Sequence, residues 1–161
     1  MAKKIFLDVR AEPAYFTLIG ISCHLKDYRL SHHLNKIPEF NFARDQDISI
    51  LQPGKPEPAS FSFFYYRDDD QGNAYSLISN RNENSALIPE MKQLDFILVV
   101  EGEFRKNRRD QLLKSIRSIQ NVLTAYELNP KEIRNFENLL TDIEMHIMNI
   151  FKVTRNKITL I

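Results

Sequence analysis

The residues Phe96, Ile97, Leu98, Val99 and Val100 are apolar without a break, and the carboxylate of Asp95 stands directly before them. Such a run fits a strand covered on both faces rather than one that shows a side to water. In the next segment, "NRRDQLLKSIRSIQ", Leu112, Leu113, Ile116 and Ile119 form one helical stripe, with Asn107 placed to serve as N-cap. "VLTAYEL" then reads as a second strand. Strand, amphipathic helix and strand with tight links make a βαβ unit, whose crossover is expected to be right-handed.

The flanking segments supply the rest of a sheet. "FSFFYYR" and "AYSLISNR" are aromatic-rich strands on either side of "DDDQGN", a polar turn with Gly72 and Asn73. "KIFLDV" puts Ile5, Leu7 and Val9 on one side of a strand, and "YFTLIGIS" is a strand or the approach to a helix. Ser22 can cap the helix "HLKDYRLSHHLNKI", whose Leu30, Leu34 and Ile37 share a face and which Pro38 stops. A short strand is expected around Ile48 to Leu51, followed by the stiff loop "QPGKPEPAS". Together these segments predict an α+β fold: a mixed, mainly antiparallel sheet with packed helices, ferredoxin-like in its βαβ unit. That domain is expected over residues 1–129, with a C-terminal helix and tail over 130–161.

The helix is read as opening at Asn129-Pro130. Ile133, Phe136, Leu140, Ile143, Ile147 and Ile150 follow helical spacing, and Leu139, Met148 and Phe151 widen the apolar arc. One side can dock on the sheet. The remainder, joined by Ile158, Leu160 and Ile161, predicts self-association or a protein partner through this helix.

Charge and cysteine content narrow the setting. A net charge of +1 gives no global attraction to nucleic acid or membrane, so such binding would need a local patch. The lone cysteine, Cys23, excludes an intrachain disulfide framework and fits a reducing compartment. The apolar stretches are too short for a secretory signal or a bilayer span, so a cytoplasmic protein without membrane contact is expected.

Catalytic constellations are hard to assemble from this chain. His32 and His33 are adjacent and point to different helix faces, unlike the i, i+4 pair of zinc sites, while His24 and His146 stand apart. Cys23 beside His24 is a weak echo of a thiol–imidazole pair, and a buried structural cysteine is the expected reading. The glycines are scattered, with no phosphate-cradling loop. No cofactor, metal or catalytic residue is therefore expected. One charge cluster stands out: Arg105, Lys106, Arg108 and Arg109 crowd a helix start, with Lys114 and Arg117 beyond. Cations there oppose the helix dipole, and an acidic partner or phosphate would offset the conflict. The aromatic strands lack an RNA-binding sequence arrangement and read as core.

The segment "IPEMKQLDF" resembles the signature of the IPExxxVDY family of small bacterial proteins. Ile88, Pro89, Glu90 and Asp95 match its letters, Leu94 stands for the Val and Phe96 for the Tyr. "LIGIS", "KDYRL", "LNK", "LIS", "EGEF" and "LTAYEL" fall in the order the resemblance implies, over roughly the first four-fifths of the chain. The resemblance implies no activity, cofactor or catalytic residue. Read physically, Pro89 sets the chain's entry angle, Glu90 can accept from amides of its own turn, and Asp95 can bond neighbouring loop amides or an arginine. The two carboxylates could also form an acid/base pair, but no histidine, cysteine or serine arrangement completes it. The expected function is a non-catalytic interaction or regulatory module acting through protein–protein contacts. The alternative is an RNA- or ribosome-associated protein using the basic cluster at 105–117.

Overall fold

The computed structural model describes residues 16–160, with side chains through residue 152. Ile5, Leu7, Val9 and Ile161 lie outside the described residues, as do the side chains of Ile158 and Leu160. The strands are β1 (Phe16–Cys23), β2 (Ala43–Ile50), β3 (Ala59–Asp68), β4 (Asn73–Ser79), β5 (Phe96–Glu101) and β6 (Val122–Glu127). The helices are α1 (Asp27–Leu34), α2 (Lys106–Arg117) and α3 (Phe136–Leu160). The strands form one sheet in the order β2-β3-β4-β5-β1-β6, with every neighbouring pair antiparallel. The fold is α+β. β1 runs between β5 and β6 and antiparallel to both, so β5 and β6 are parallel to each other across it. That split βαβ arrangement matches the ferredoxin-like unit expected from the sequence.

β5 is central because its residues serve two cores. Phe96, Leu98 and Val100 point to a cluster with Leu30 and Leu34 of α1 and Leu112, Leu113 and Ile116 of α2. Ile97 and Val99 point to the other face, where they meet Leu139, Ile143 and Ile150 of α3 and Ile88, Met91 and Leu94 of the loop before β5. The sheet is thus a middle layer between two helical ones, which explains why its strand sequence does not alternate in polarity. Gly20 belongs to β1 at the second face. A Cβ there would lie 2.5 Å from the Leu94 side chain and 3.0 Å from that of Leu128, so the missing side chain lets both residues close on the sheet.

Both outer strands carry an irregularity. In β2 the register shifts between Asp45 and Ile48, which pair with Phe63 and Phe61, so β2 holds one residue too many. In β6 the pairs Ser22–Thr124 and Cys23–Val122 leave Leu123 as the extra residue. α3 is fastened over the β2 bulge: His146 Nε2 lies 2.8 Å from the Gln46 carbonyl oxygen, and its ring stands edge-on to Phe63.

Several local expectations need correction. Ser22 is in β1 and caps no helix; α1 begins after Lys26, which offers no side-chain cap. The helix ends at Leu34, ahead of Pro38, where the Asn35 side chain donates to the Phe42 carbonyl and accepts its N–H. Arg105, not Asn107, holds the N-cap position of α2. The last helix begins at Phe136 rather than Pro130. Pro130–Glu132 form a single 3-10 turn, and Asn135 takes a positive φ of 54° before α3 starts. Ile133 therefore lies outside the helix, although it is buried.

Candidate functional site

The turn before β5 is built around Asn80, which follows β4 and is fully buried. Its Oδ1 accepts the Ile88 N–H, and its Nδ2 donates to the carbonyls of Met91 and Leu94, each at 2.9 Å. Its main chain adds a bond from the Leu87 N–H and one to the Asp95 carbonyl. Pro89 starts a 3-10 turn, Ile88 and Leu94 are sealed in the core, and Phe96 follows them there. Asp95 closes the arrangement. Its Oδ2 accepts the Cys23 N–H at 2.9 Å, and its Oδ1 pairs with Arg81. Glu90 departs from expectation: it accepts from the Arg134 N–H ahead of α3 at 3.4 Å, not from its own turn. The motif residues thus join β1, β4, β5 and the approach to α3, and the two carboxylates go to different partners.

The basic cluster disperses in three dimensions. Arg108 turns inward, donating to Asn73 Oδ1 at 2.9 Å and the Tyr75 hydroxyl at 3.2 Å, with its guanidinium over the Phe104 ring. Arg109 pairs with Glu127, and Arg117 donates to the Ala125 carbonyl. Arg105 lies 3.7 Å from Glu103 in an exposed pair. Lys106 and Lys114 are exposed and without an ion pair among the described residues. Four of the six predicted cations thus meet the protein's own acceptors, Arg105 only in an exposed pair.

Cys23 is buried, and that burial pushes its thiol above the ordinary value, so the adjacent His24 gives it no activated character. Among the described residues no three His, Cys, Asp or Glu side chains gather where they could hold a metal ion.

α3 divides its apolar residues unevenly. Leu139, Ile143 and Ile150 are buried, and Phe136 and Ile147 pack against them, whereas Leu140 is only partly covered. Met145, Met148 and Phe151, spaced by three residues, are 57%, 68% and 41% exposed, and the Phe151 ring stands edge-on to Tyr65 of β3. In sequence the helix carries Glu137, Asp142 and Glu144 in its first half and Lys152, Arg155 and Lys157 in its second, three acids against three bases.

Beside this face lies a cleft of 760 Å³. Its floor is one cross-strand row, Arg67–Ala74–Glu101–Phe16, with the row Tyr65–Ser76–Val99–Leu18 next to it. The alternation of β3, β4, β5 and β1 puts these residues on the α3 side. The small side chain of Ala74 in the middle of the first row leaves the hollow, while Glu144, Met148 and Phe151 of α3 form its wall. Glu101 continues the Ile97–Val99 side of β5 to the cleft. Partial burial, then the neighbouring Glu144, push its carboxyl above the ordinary value, while Arg67 acts in the opposite direction. Sequence reasoning missed this cleft because its polar residues come from separate strands and α3. It also passed over Asn80, which lay in the expected second strand of the hairpin.

No family model matches the chain, and no curated protein or solved structure matches it. No helix among the described residues is long and apolar enough to cross a membrane.

Proposed function

We propose that the protein is a non-catalytic interaction module that binds another protein through the outer face of α3. The observation that carries this reading is the exposure of Met145 and Met148, with Phe151 half-covered beside them, on a helix that already gives Leu139, Ile143 and Ile150 to the core. Large apolar side chains grouped beside a concave surface are the usual composition of a contact site. Glu137, Asp142 and Glu144 lie toward the start of this helix, so a partner surface with cations beside an apolar patch complements that part of it. The resemblance of residues 88–96 to the IPExxxVDY signature fits this reading, and that segment acts here as scaffold.

The test is Met145→Glu with Met148→Glu in the full chain. Both side chains are exposed, so the variant should fold and melt as the parent does. Loss of a stoichiometric complex reconstituted from purified components supports the reading. A parent protein that stays monomeric in light scattering at high concentration and copurifies with nothing defeats it. Ending the chain at Asn129 is a poor test, because it strips Leu139, Ile143 and Ile150 from the core. RNA association has less support: it would rest on Lys106, Lys114 and Arg105, since the other three arginines bind within the protein.

A further inference from the structure

α1 carries a ridge of basic groups on the side away from the sheet. Leu30, Ser31 and Leu34 are its buried residues; Arg29, His32 and His33 stand opposite them, and Lys36 continues the ridge in the turn after the helix. With Tyr28, these four line a hollow of 450 Å³. Arg29 and Lys36 have no ion pair among the described residues, and the one acid of α1, Asp27, is taken by Arg44 at 3.2 Å. Desolvation, then the charges of Lys36, His32 and Arg29, hold the His33 imidazole below its ordinary value, so the ridge repels a further positive charge of its own. α2 covers the same side of the sheet, and both helices pack into one core cluster. Ile37 and Pro38, just past the ridge, share a pocket with Lys114 of α2, where the one acid, Glu39, lies 3.9 Å from Arg108. Residues 24–36 and 105–117 hold nine lysines and arginines against Asp27 and Asp110 in a chain of net charge +1, so the rest of the sequence is net acidic. Positive charge is concentrated on this helical layer.

We propose that the outer face of α1, extended by Lys106 and Lys114 of α2, binds single-stranded RNA, with Arg29 and Lys36 on phosphates and Tyr28 and His32 against bases. The cluster at 105–117 has few free cations of its own, and α1 supplies what it lacks. A bilayer surface would call for apolar side chains among the cations, and the one large apolar side chain exposed on α1 is Tyr28, 60% accessible. An acidic protein would use the charges but not the planar groups. Single-stranded RNA uses both, because its phosphates meet the cations while its unpaired bases stack on tyrosine, histidine and guanidinium planes. From Arg29 to Lys36 the ridge spans about 10 Å, room for only a few nucleotides, and α2 lengthens the track.

The experiment is fluorescence anisotropy of a short labelled oligouridylate with the full chain, in buffers from about 50 to 200 mM salt. Arg29→Gln with Lys36→Gln should weaken binding about tenfold in low salt and flatten the salt slope by about 1.4, the share of two phosphate contacts. Both side chains are exposed, so the variant should melt as the parent does. Lys92→Gln with Arg134→Gln removes the same charge beside α3 and should leave the affinity within about twofold. Tyr28→Ala should weaken oligouridylate binding by about fivefold or more. No binding in low salt, or an equal loss from the two charge pairs, overturns the site. Polyglutamate or phosphatidylserine vesicles bound as tightly as oligouridylate, or a Tyr28→Ala variant that binds as the parent does, overturns the choice of RNA. α3 packs on the other side of the sheet, so Met145→Glu with Met148→Glu should leave RNA binding unchanged, and the two readings stand or fall separately.

Discussion

The carboxamide oxygen of Asn80 accepts the main-chain N–H of Ile88 at 2.9 Å in a position sealed from solvent. The same side chain donates to the Met91 and Leu94 carbonyls, so one residue after β4 satisfies three main-chain groups of a loop that has no sheet partner there. Asn80→Ala would strip the carboxamide from the Ile88 N–H and the Leu94 carbonyl, while the Met91 carbonyl keeps the Leu94 N–H. It should lower stability by about 3 kcal/mol or more, measured by urea unfolding. An effect below about 1 kcal/mol would show that water or a loop shift replaces the carboxamide.

Asp95 makes the matching connection at the strand entrance. Asp95→Ala removes the acceptor of the Cys23 N–H and the partner of Arg81, and should cost about 1–3 kcal/mol. Arg81→Gln should cost less, because its guanidinium is mostly exposed and the Cys23 bond survives. Thermal melts of the two variants check the order. Equal losses would place the stabilisation in the ion pair rather than in the backbone bond.

Within the basic cluster the residues separate by role. Arg108→Gln strips donors from Asn73 and Tyr75 and the cation from Phe104, and should destabilise by about 1–3 kcal/mol. Lys106→Gln and Lys114→Gln should change stability by no more than about 0.5 kcal/mol. A stability scan of the three variants tests this, and equal values would contradict the inward role of Arg108.

Glu101 should leave a signature in the pH dependence of folding. Its carboxyl is raised above the ordinary value of 4.5, so the folded state holds this proton more tightly than the unfolded chain does. Stability therefore falls as pH rises from that value through the raised one, and the loss is complete above it. Glu101→Gln should raise the melting temperature at neutral pH, and the gain should shrink as the buffer approaches pH 4. A gain that persists undiminished in acid would assign the effect to packing instead of charge.

The sequence made legible what depends on neighbours along the chain. The apolar run at 96–100 announced a strand with two covered faces, and the stripe Leu112, Leu113 and Ile116 announced the helix on one of them. Helix ends were less legible. α1 and α2 start after Lys26 and Arg105, which offer no capping side chain, so the local signal at Ser22 and Asn107 pointed elsewhere. Pro130 suits a 3-10 turn as well as a helix start, and only the positive φ at Asn135 shows that the chain turns again before α3. The cleft needed cross-strand register, because Arg67, Glu101 and Glu144 are brought together by the pairing of three strands and the placement of a helix. Arg108 resembled its charged neighbours until Asn73, at the start of β4, was found beneath it.

The extra residues in β2 and β6 also decide how molecules of this protein can meet. An exposed strand edge is a template on which another copy can pair main chain to main chain, repeat after repeat, toward a fibril. Here each border of the sheet has its regular spacing of N–H and C=O groups interrupted, at Gln46 and Asp47 on one side and at Leu123 on the other. Main-chain pairing of native molecules along these two edges of the described sheet is thereby disfavoured.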